Sequence, residues 1–178
     1  MLIINDKKFE LFIPSATIIN VVKQMADEIN REYINKQVHF VGVMNGAFMF
    51  VSDLLKFIKV SCEVHFIKLA SYNGDASTGK IKEVFGLNTA LTNKTVIVLE
   101  DIVDTGRTLD HICRSINTFN PAELKVVSLL YKPDASQTGV KPDMAGIEIA
   151  NDFVVGYGLD YQGLGRNLPD IYRVIDDG

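Results

Sequence analysis

Val96-Ile-Val-Leu-Glu-Asp-Ile-Val-Asp-Thr-Gly-Arg-Thr108 runs from apolar residues into carboxylates, and then into a glycine flanked by threonines. Its first four residues are the short continuous apolar run of a parallel strand covered on both faces. Beyond the glycine, Leu109, Ile112, Cys113 and Ile116 recur at i, i+3, i+4 and i+7, so a helix is predicted to begin just after Gly106. The turn therefore joins the carboxyl end of a strand to the amino end of a helix, where free backbone N–H groups and the helix dipole favour a phosphate. Glu100 and Asp101 beside such a pocket require a ligand with a second part, and ribose hydroxyls, which donate to carboxylates, supply it.

Blander readings exist for each piece. Glu100 and Asp101 taken alone read as solvated charges at a strand end, and Thr105 and Thr108 as ordinary helix-start residues. Asp104-Thr105-Gly106 also matches the Asp-Thr-Gly triplet of aspartic proteases. That chemistry needs two such carboxylates sharing a proton in a mostly β fold, whereas here the triplet opens a helix.

The remainder of the chain fits one domain spanning residues 1–178, a length that buries about 70% of the unfolded surface without disulfide or metal support. Eighteen Lys and Arg against 22 Asp and Glu leave a net charge of −4, so no basic field points to nucleic acid. Cys62 and Cys113 stand in apolar contexts without Cys-x-x-Cys spacing and read as reduced core residues of a cytosolic protein. Residues 1–6 are too short and polar for a signal sequence, and no apolar run approaches a membrane span, so a soluble cytoplasmic protein is expected.

Ile18, Val22, Met25, Ile29 and Tyr33 form a helical stripe with Thr17 as a candidate cap. Residues 38–44 follow as a strand, Ala47 to Ile58 as a helix, and residues 62–70 as a second strand. After the central strand and its helix come predicted strands at 124–130 and 153–157. This alternation indicates an α/β fold, a mostly parallel sheet flanked by helices on both faces, with ligands at the strands' carboxyl ends. Residues 72–80 are polar and glycine-bearing and read as a mobile loop. Gly74 to Lys80 nearly matches a P-loop, but Ile81 stands where Ser or Thr must reach magnesium, which argues against nucleoside triphosphate binding. His39, His65 and His111 fall in strand or helix patterns and read as structural.

The stretch from 96 to 108 resembles the phosphoribosyl pyrophosphate signature of the type I phosphoribosyltransferases. Four further segments extend the similarity to the hypoxanthine-guanine branch over nearly the whole chain: Lys68-Leu-Ala-Ser-Tyr72, Val140-Lys-Pro-Asp143, Asp152-Phe-Val-Val-Gly-Tyr-Gly-Leu-Asp160 and Arg166-Asn-Leu168. The resemblance implies a small hood formed by the terminal segments, a Mg2+ requirement, and a homodimer or homotetramer. It also implies purine salvage, the transfer of a phosphoribosyl group from phosphoribosyl pyrophosphate to hypoxanthine and guanine.

Position by position, it implies that Asp104 is the acid/base residue for the proton on purine N7, and that Asp104, Thr105, Gly106, Arg107 and Thr108 cradle the 5′-phosphate. Glu100 and Asp101 would hold the ribose diol and metal, with Asp160 as a further metal ligand beside the purine. Lys141 would donate to purine O6, Phe153 would stack on the ring, and the Val154 backbone would bond the base edge. Arg166, Asn45 and Gly46 would bind pyrophosphate, and Ser71 and Tyr72 would close with the loop to exclude water. At Met44-Asn45-Gly46 the family usually carries Lys where this chain has Asn45, and a cis peptide is predicted before it. A regulator that senses the sugar phosphate without turnover would be expected to lose Asp104, Lys141, Phe153, Asp160 or Tyr72, and all are present.

Overall fold

The computed structural model describes residues 1–71, 81–85 and 91–175. Its main sheet contains β3 (Val38–Met44), β4 (Cys62–Ser71), β5 (Ile81–Phe85), β6 (Thr95–Val103), β7 (Glu123–Tyr131) and β8 (Met144–Glu148), in the order β5-β4-β3-β6-β7-β8. All neighbours pair in parallel except β5, which runs antiparallel along β4. Helices α1 (Ser15–Glu32) and α2 (Phe48–Leu55) cover one face, and α3 (Arg107–Asn117) covers the other.

Burial on both faces explains the apolar runs of the central strands. Phe40, Ile97 and Leu99 point into the core under α1 and α2, while Val41, Val43, Val96 and Val98 point under α3 with Leu109, Ile112 and Ile116. A second sheet joins the chain's two ends, β1 (Leu2–Ile4), β2 (Lys7–Ile13), β9 (Val154–Val155) and β10 (Ile171–Val174), in the order β1-β2-β10-β9. This is the expected hood, with its own small core of Ile4, Phe9 and Val155.

Several local expectations need correction. Thr17 does not cap α1: the helix starts at Ser15 after Pro14, and the Ser15 N–H donates to Asp170 Oδ1 at 2.7 Å from the far end of the chain. The stripe predicted to run to Ile58 stops being helical at Leu55, because the Phe57 and Ile58 N–H groups reach back only three residues, to Leu54 and Leu55. The strand predicted over 153–157 is cut to Val154–Val155, since Gly156, Tyr157 and Gly158 take φ of 100°, 50° and 99° and curl the chain away. Cys62 is exposed rather than core, whereas Cys113 is half-buried and its thiol is pushed up to about 11 chiefly by burial. Both thiols are free. No helix among the described residues is long and apolar enough to cross a membrane.

A side-chain hydrogen bond ties the loop after β9 to α2. The Tyr157 hydroxyl donates to Asp53 Oδ2 on α2 at 2.7 Å, and burial, reinforced by that carboxylate, drives the phenol's pKa up. Tyr157→Phe is expected to lower stability by about 1–2 kcal/mol, because the half-buried carboxylate loses this donor. Urea unfolding checks it, with a lower midpoint and an unchanged slope.

Candidate active site

The strand order reverses direction between β3 and β6: β3 leads through α2 to β4 on one side, and β6 leads through α3 to β7 on the other. Crevices at the carboxyl ends of strands open at such a switch point. Here it brings the turn after β3, Asn45 and Gly46, against the tip of β6, Glu100 and Asp101. The Met44–Asn45 peptide is cis, as predicted. A side chain at Gly46 would overlap the Asp101 carboxylate, so only glycine lets the turn lie this close.

Glu100 and Asp101 are both buried. Asp101 Oδ1 accepts from the Ile102 N–H at 2.9 Å, while Glu100 Oε2 is buried without a hydrogen-bond partner among the described residues. Burial pushes both carboxyls up, Glu100 well above the usual range with the Asp101 charge adding to it. The nearby Arg166 charge only partly offsets this at Asp101. A buried pair with a spare oxygen fits a cation or hydroxyl donors far better than it fits isolation.

Beyond the tip lies a cavity of about 260 Å³ lined by Glu100, Asp101, Asp104, Thr105, Gly106 and Thr108. Gly106 is the amino cap of α3 at φ 79°, and its Cβ would collide with the Thr138 hydroxyl. The first-turn N–H groups of α3 have no intrahelical acceptor and face this mouth. Gln137 N–H donates to Thr105 O at 3.0 Å, so the segment that carries Thr138 and Val140 braces the turn from outside. Lys141 follows, exposed, while Asp143 anchors its segment by accepting from the Val126 N–H at 2.8 Å. The Asp-Thr-Gly triplet thus sits at a parallel strand's end and leads into a helix, which removes the protease reading.

The hood supplies the remaining predicted residues. Phe153 is 42% exposed, in a T-shaped contact with Tyr161 at 5.6 Å between ring centroids and a tilted one with Phe9 at 6.4 Å, so part of its side chain remains accessible. The bond from Val174 N–H to Phe153 C=O makes Val154 and Arg173 a non-hydrogen-bonded pair, so Val154's own N–H and C=O point outward from the free side of β9. Asp160 Oδ1 pairs with Arg166 Nη2 at 2.6 Å, and Arg166 Nη1 donates to Gly158 O at 2.7 Å. Gly158 in turn packs on Gly46 O, where any side chain would collide. Ser71 ends β4, and Tyr72 with the rest of the proposed lid lies outside the described residues.

Lys132 is the residue that sequence reading missed. It is buried at the end of β7, and its Nζ donates to Asp104 Oδ2 at 2.9 Å. An apolar strand ending in one lysine gave a hint, but the partner is 28 residues away.

The chain's residues 15–162 match the phosphoribosyl transferase domain family. It is 36% identical to the hypoxanthine-guanine phosphoribosyltransferase of Staphylococcus aureus, an alignment that covers 94% of this chain and 93% of that one. The Homo sapiens protein of the same name is also 36% identical, with 94% of this chain and 82% of the relative covered. Its fold superposes on a hypoxanthine-guanine phosphoribosyltransferase from Bacillus anthracis with a TM-score of 0.89 at 33% identity, covering 96% of this chain and 100% of that one. The chain belongs to the phosphoribosyltransferase family, in its hypoxanthine-guanine branch.

Proposed function

We propose that this protein is a purine-salvage enzyme that transfers the 5-phosphoribosyl group from phosphoribosyl pyrophosphate to hypoxanthine and guanine, releasing the 5′-nucleotide and pyrophosphate. The observation that carries the site assignment is the meeting of a buried acidic strand tip with the open mouth of α3 in one cavity. The backbone N–H groups and hydroxyls of residues 105–108 hold the 5′-phosphate there. Glu100 and Asp101 accept from the ribose hydroxyls and face the positive charge that develops on the sugar as pyrophosphate leaves.

Asp104, kept in place by Lys132, manages the N7 proton of the purine as N9 bonds to the anomeric carbon. Phe153 offers its exposed ring to the base, the outward Val154 backbone bonds its edge, and Lys141 donates to O6. Arg166, beside Gly46 and Asn45, receives the departing pyrophosphate. Glu100 and Asp101 would offer Mg2+ the hard oxygen donors it prefers, and the unpartnered Glu100 Oε2 supports the fit; Asp160 would add a third carboxylate, although among the described residues it is paired with Arg166 and does not converge with the other two. When bound, Mg2+ would neutralise charge on the leaving group.

A panel of hypoxanthine, guanine, xanthine and adenine with phosphoribosyl pyrophosphate and Mg2+ tests the reading. Nucleotide is expected from hypoxanthine and guanine and not from adenine, whose 6-amino group opposes a donor with a donor. Failure with every base would refute the assignment. Asp104→Asn is expected to lower kcat by about 10²–10⁴-fold with little change in sugar-phosphate binding. Lys132→Met should lower kcat by up to about 100-fold through misplacement of that carboxylate. Matched losses of binding and turnover in both variants would indicate a structural role instead.

The acidic pair also predicts a pH dependence. Glu100 has a folded pKa raised above its unfolded value near 4.5. Its contribution to stability is therefore present below that pH and lost as pH rises through the folded value. Glu100→Gln should remove this loss, so the metal-free variant should melt above the parent protein at pH 8, with the gap narrowing toward pH 4.5. Thermal melts across that range decide the matter, and a variant less stable than the parent at pH 8 would contradict it.

A further inference from the structure

His39, Glu63 and His65 lie at the amino ends of β3 and β4, roughly 20 Å along the strand from the Asn45 turn at about 3.3 Å per residue. His39 stands opposite Glu63 in the parallel register, and His65 is two positions further along β4, so all three side chains share one face. His39 is buried and the side chain of His65 is 15% exposed, whereas that of Glu63 is 47% exposed and opens the cluster to solvent.

We propose that His39, Glu63 and His65 form a binding site for one zinc-class divalent cation, with two imidazole ligands, one carboxylate ligand and a fourth position open to solvent. The distances carry the proposal. His39 Nδ1 and His65 Nε2 are 3.4 Å apart, and Glu63 Oε2 lies 3.8 Å from the first and 3.7 Å from the second. The two rings are nearly parallel, 5° apart, and share a long nitrogen-to-nitrogen hydrogen bond, while the two separations to Glu63 are longer than hydrogen bonds, which centre near 2.9 Å. The three atoms instead form a nearly equilateral triangle, and the circle through them has a radius of about 2.1 Å. Three corners of a tetrahedron with bonds of about 2.0–2.2 Å lie about 3.3–3.6 Å apart, so these atoms need close by only a few tenths of an ångström to hold Zn2+ just out of their plane, with the fourth corner open.

The surroundings hold this arrangement. Gln37 Nε2 donates to the other carboxylate oxygen, Glu63 Oε1, at 3.2 Å, and so turns Oε2 toward the histidines, the orienting role an outer partner plays at metal sites. Nδ1 is the His39 ring nitrogen that faces the cluster; Nε2, which would carry the proton when Nδ1 binds a metal, is buried without a hydrogen-bond partner among the described residues, so outer support comes from Gln37 rather than from behind the His39 ring. Two imidazoles select Zn2+, Co2+ or Ni2+ over Mg2+, which separates this site chemically from the oxygen-lined one at the other end of the sheet. A bound ion would pin the starts of β3 and β4 together.

Co2+ titration in excess Mg2+ tests the site, comparing the parent protein with Glu63→Gln and His65→Asn, each verified as folded by circular dichroism. The parent should take up one more equivalent of Co2+ per chain than either variant and show the visible absorption of a tetrahedral nitrogen and oxygen site. Zn2+ should raise the melting temperature of the parent and of neither variant, while phosphoribosyl transfer at saturating Mg2+ stays the same in all three. Equal Co2+ uptake and spectra in parent and variants, or no uptake by the parent, would overturn the proposal.

Discussion

Two carboxyl groups buried side by side at the tip of β6 set the terms for everything around them. Removing an ionised carboxylate from water costs several kcal/mol unless charge or hydrogen bonds compensate, and at Glu100 one oxygen has neither among the described residues. The chain responds by making room. Gly46 has no side chain where the Asp101 carboxylate sits, and Gly158 has none where the Gly46 carbonyl sits. Three segments far apart in sequence therefore stack directly on one another, and the cavity beside them stays open. A sequence that filled this space with packed apolar side chains would gain stability and lose its site, the trade expected of a functional centre.

The hood extends the same constraint to both chain ends. Its sheet is assembled from the first and last strands, so the candidate base-binding residues are positioned only when the termini have met. Polar ties between the two ends fix that closure. Asp170 accepts from the Ser15 N–H at the start of α1, and Arg173 pairs with Glu10 across β10 and β2 at 2.7 Å. Tyr157, held to Asp53, sits at positive φ in the middle of the loop that leads from β9 to Asp160. The site thus has a rigid floor, made by parallel strands, and a roof that is held by a few specific bonds rather than by a large core.

How much of this could be read from the chain depends on the range of the interaction. β3, β4, β6 and β7, with α1 and α3, were legible because their burial leaves a local trace, a continuous apolar run or a stripe at helical spacing, whereas the partly exposed edge strand β8 leaves none and was not predicted. The mouth of α3 was legible because strand tip, turn and helix start are consecutive in the sequence. β1, β2 and β10 were not identified as strands: β2 and β10 pair with each other from opposite ends of the chain, β1 is a three-residue edge strand on β2, and all three share only a small core. The capping of α1 was misread for the same reason, Asp170 lying 155 residues from the N–H it caps, whereas α2 ends on a local change of hydrogen bonding that leaves the apolar stripe intact. Lys132 beside Asp104, and the convergence of His39, Glu63 and His65, are products of register, which only the folded sheet reveals.

Asn45 bears on the charge balance of the site. The carboxyl ends of the strands and the adjoining hood loop gather Glu100, Asp101, Asp104 and Asp160, and two of the nearby cations are already committed to this group. Lys132 is bonded to Asp104, and Arg166 is shared between Asp160 and the Gly158 carbonyl. In the cis turn Asn45 is neutral and adds no charge, so in the proposed reaction the burden of an incoming polyanion would fall on Arg166. Asp160 Oδ2 has its own donor in the Gly163 N–H at 2.7 Å, which holds the carboxylate in place whether or not the guanidinium stays with it. In its proposed role Arg166 would turn toward a phosphate without collapsing the loop, at the cost of a partly exposed ion pair worth about 1 kcal/mol or less. That loss is smaller than the gain a bidentate arginine–phosphate contact brings where water is excluded, so on the proposed assignment the pair would hold the guanidinium ready without locking it away.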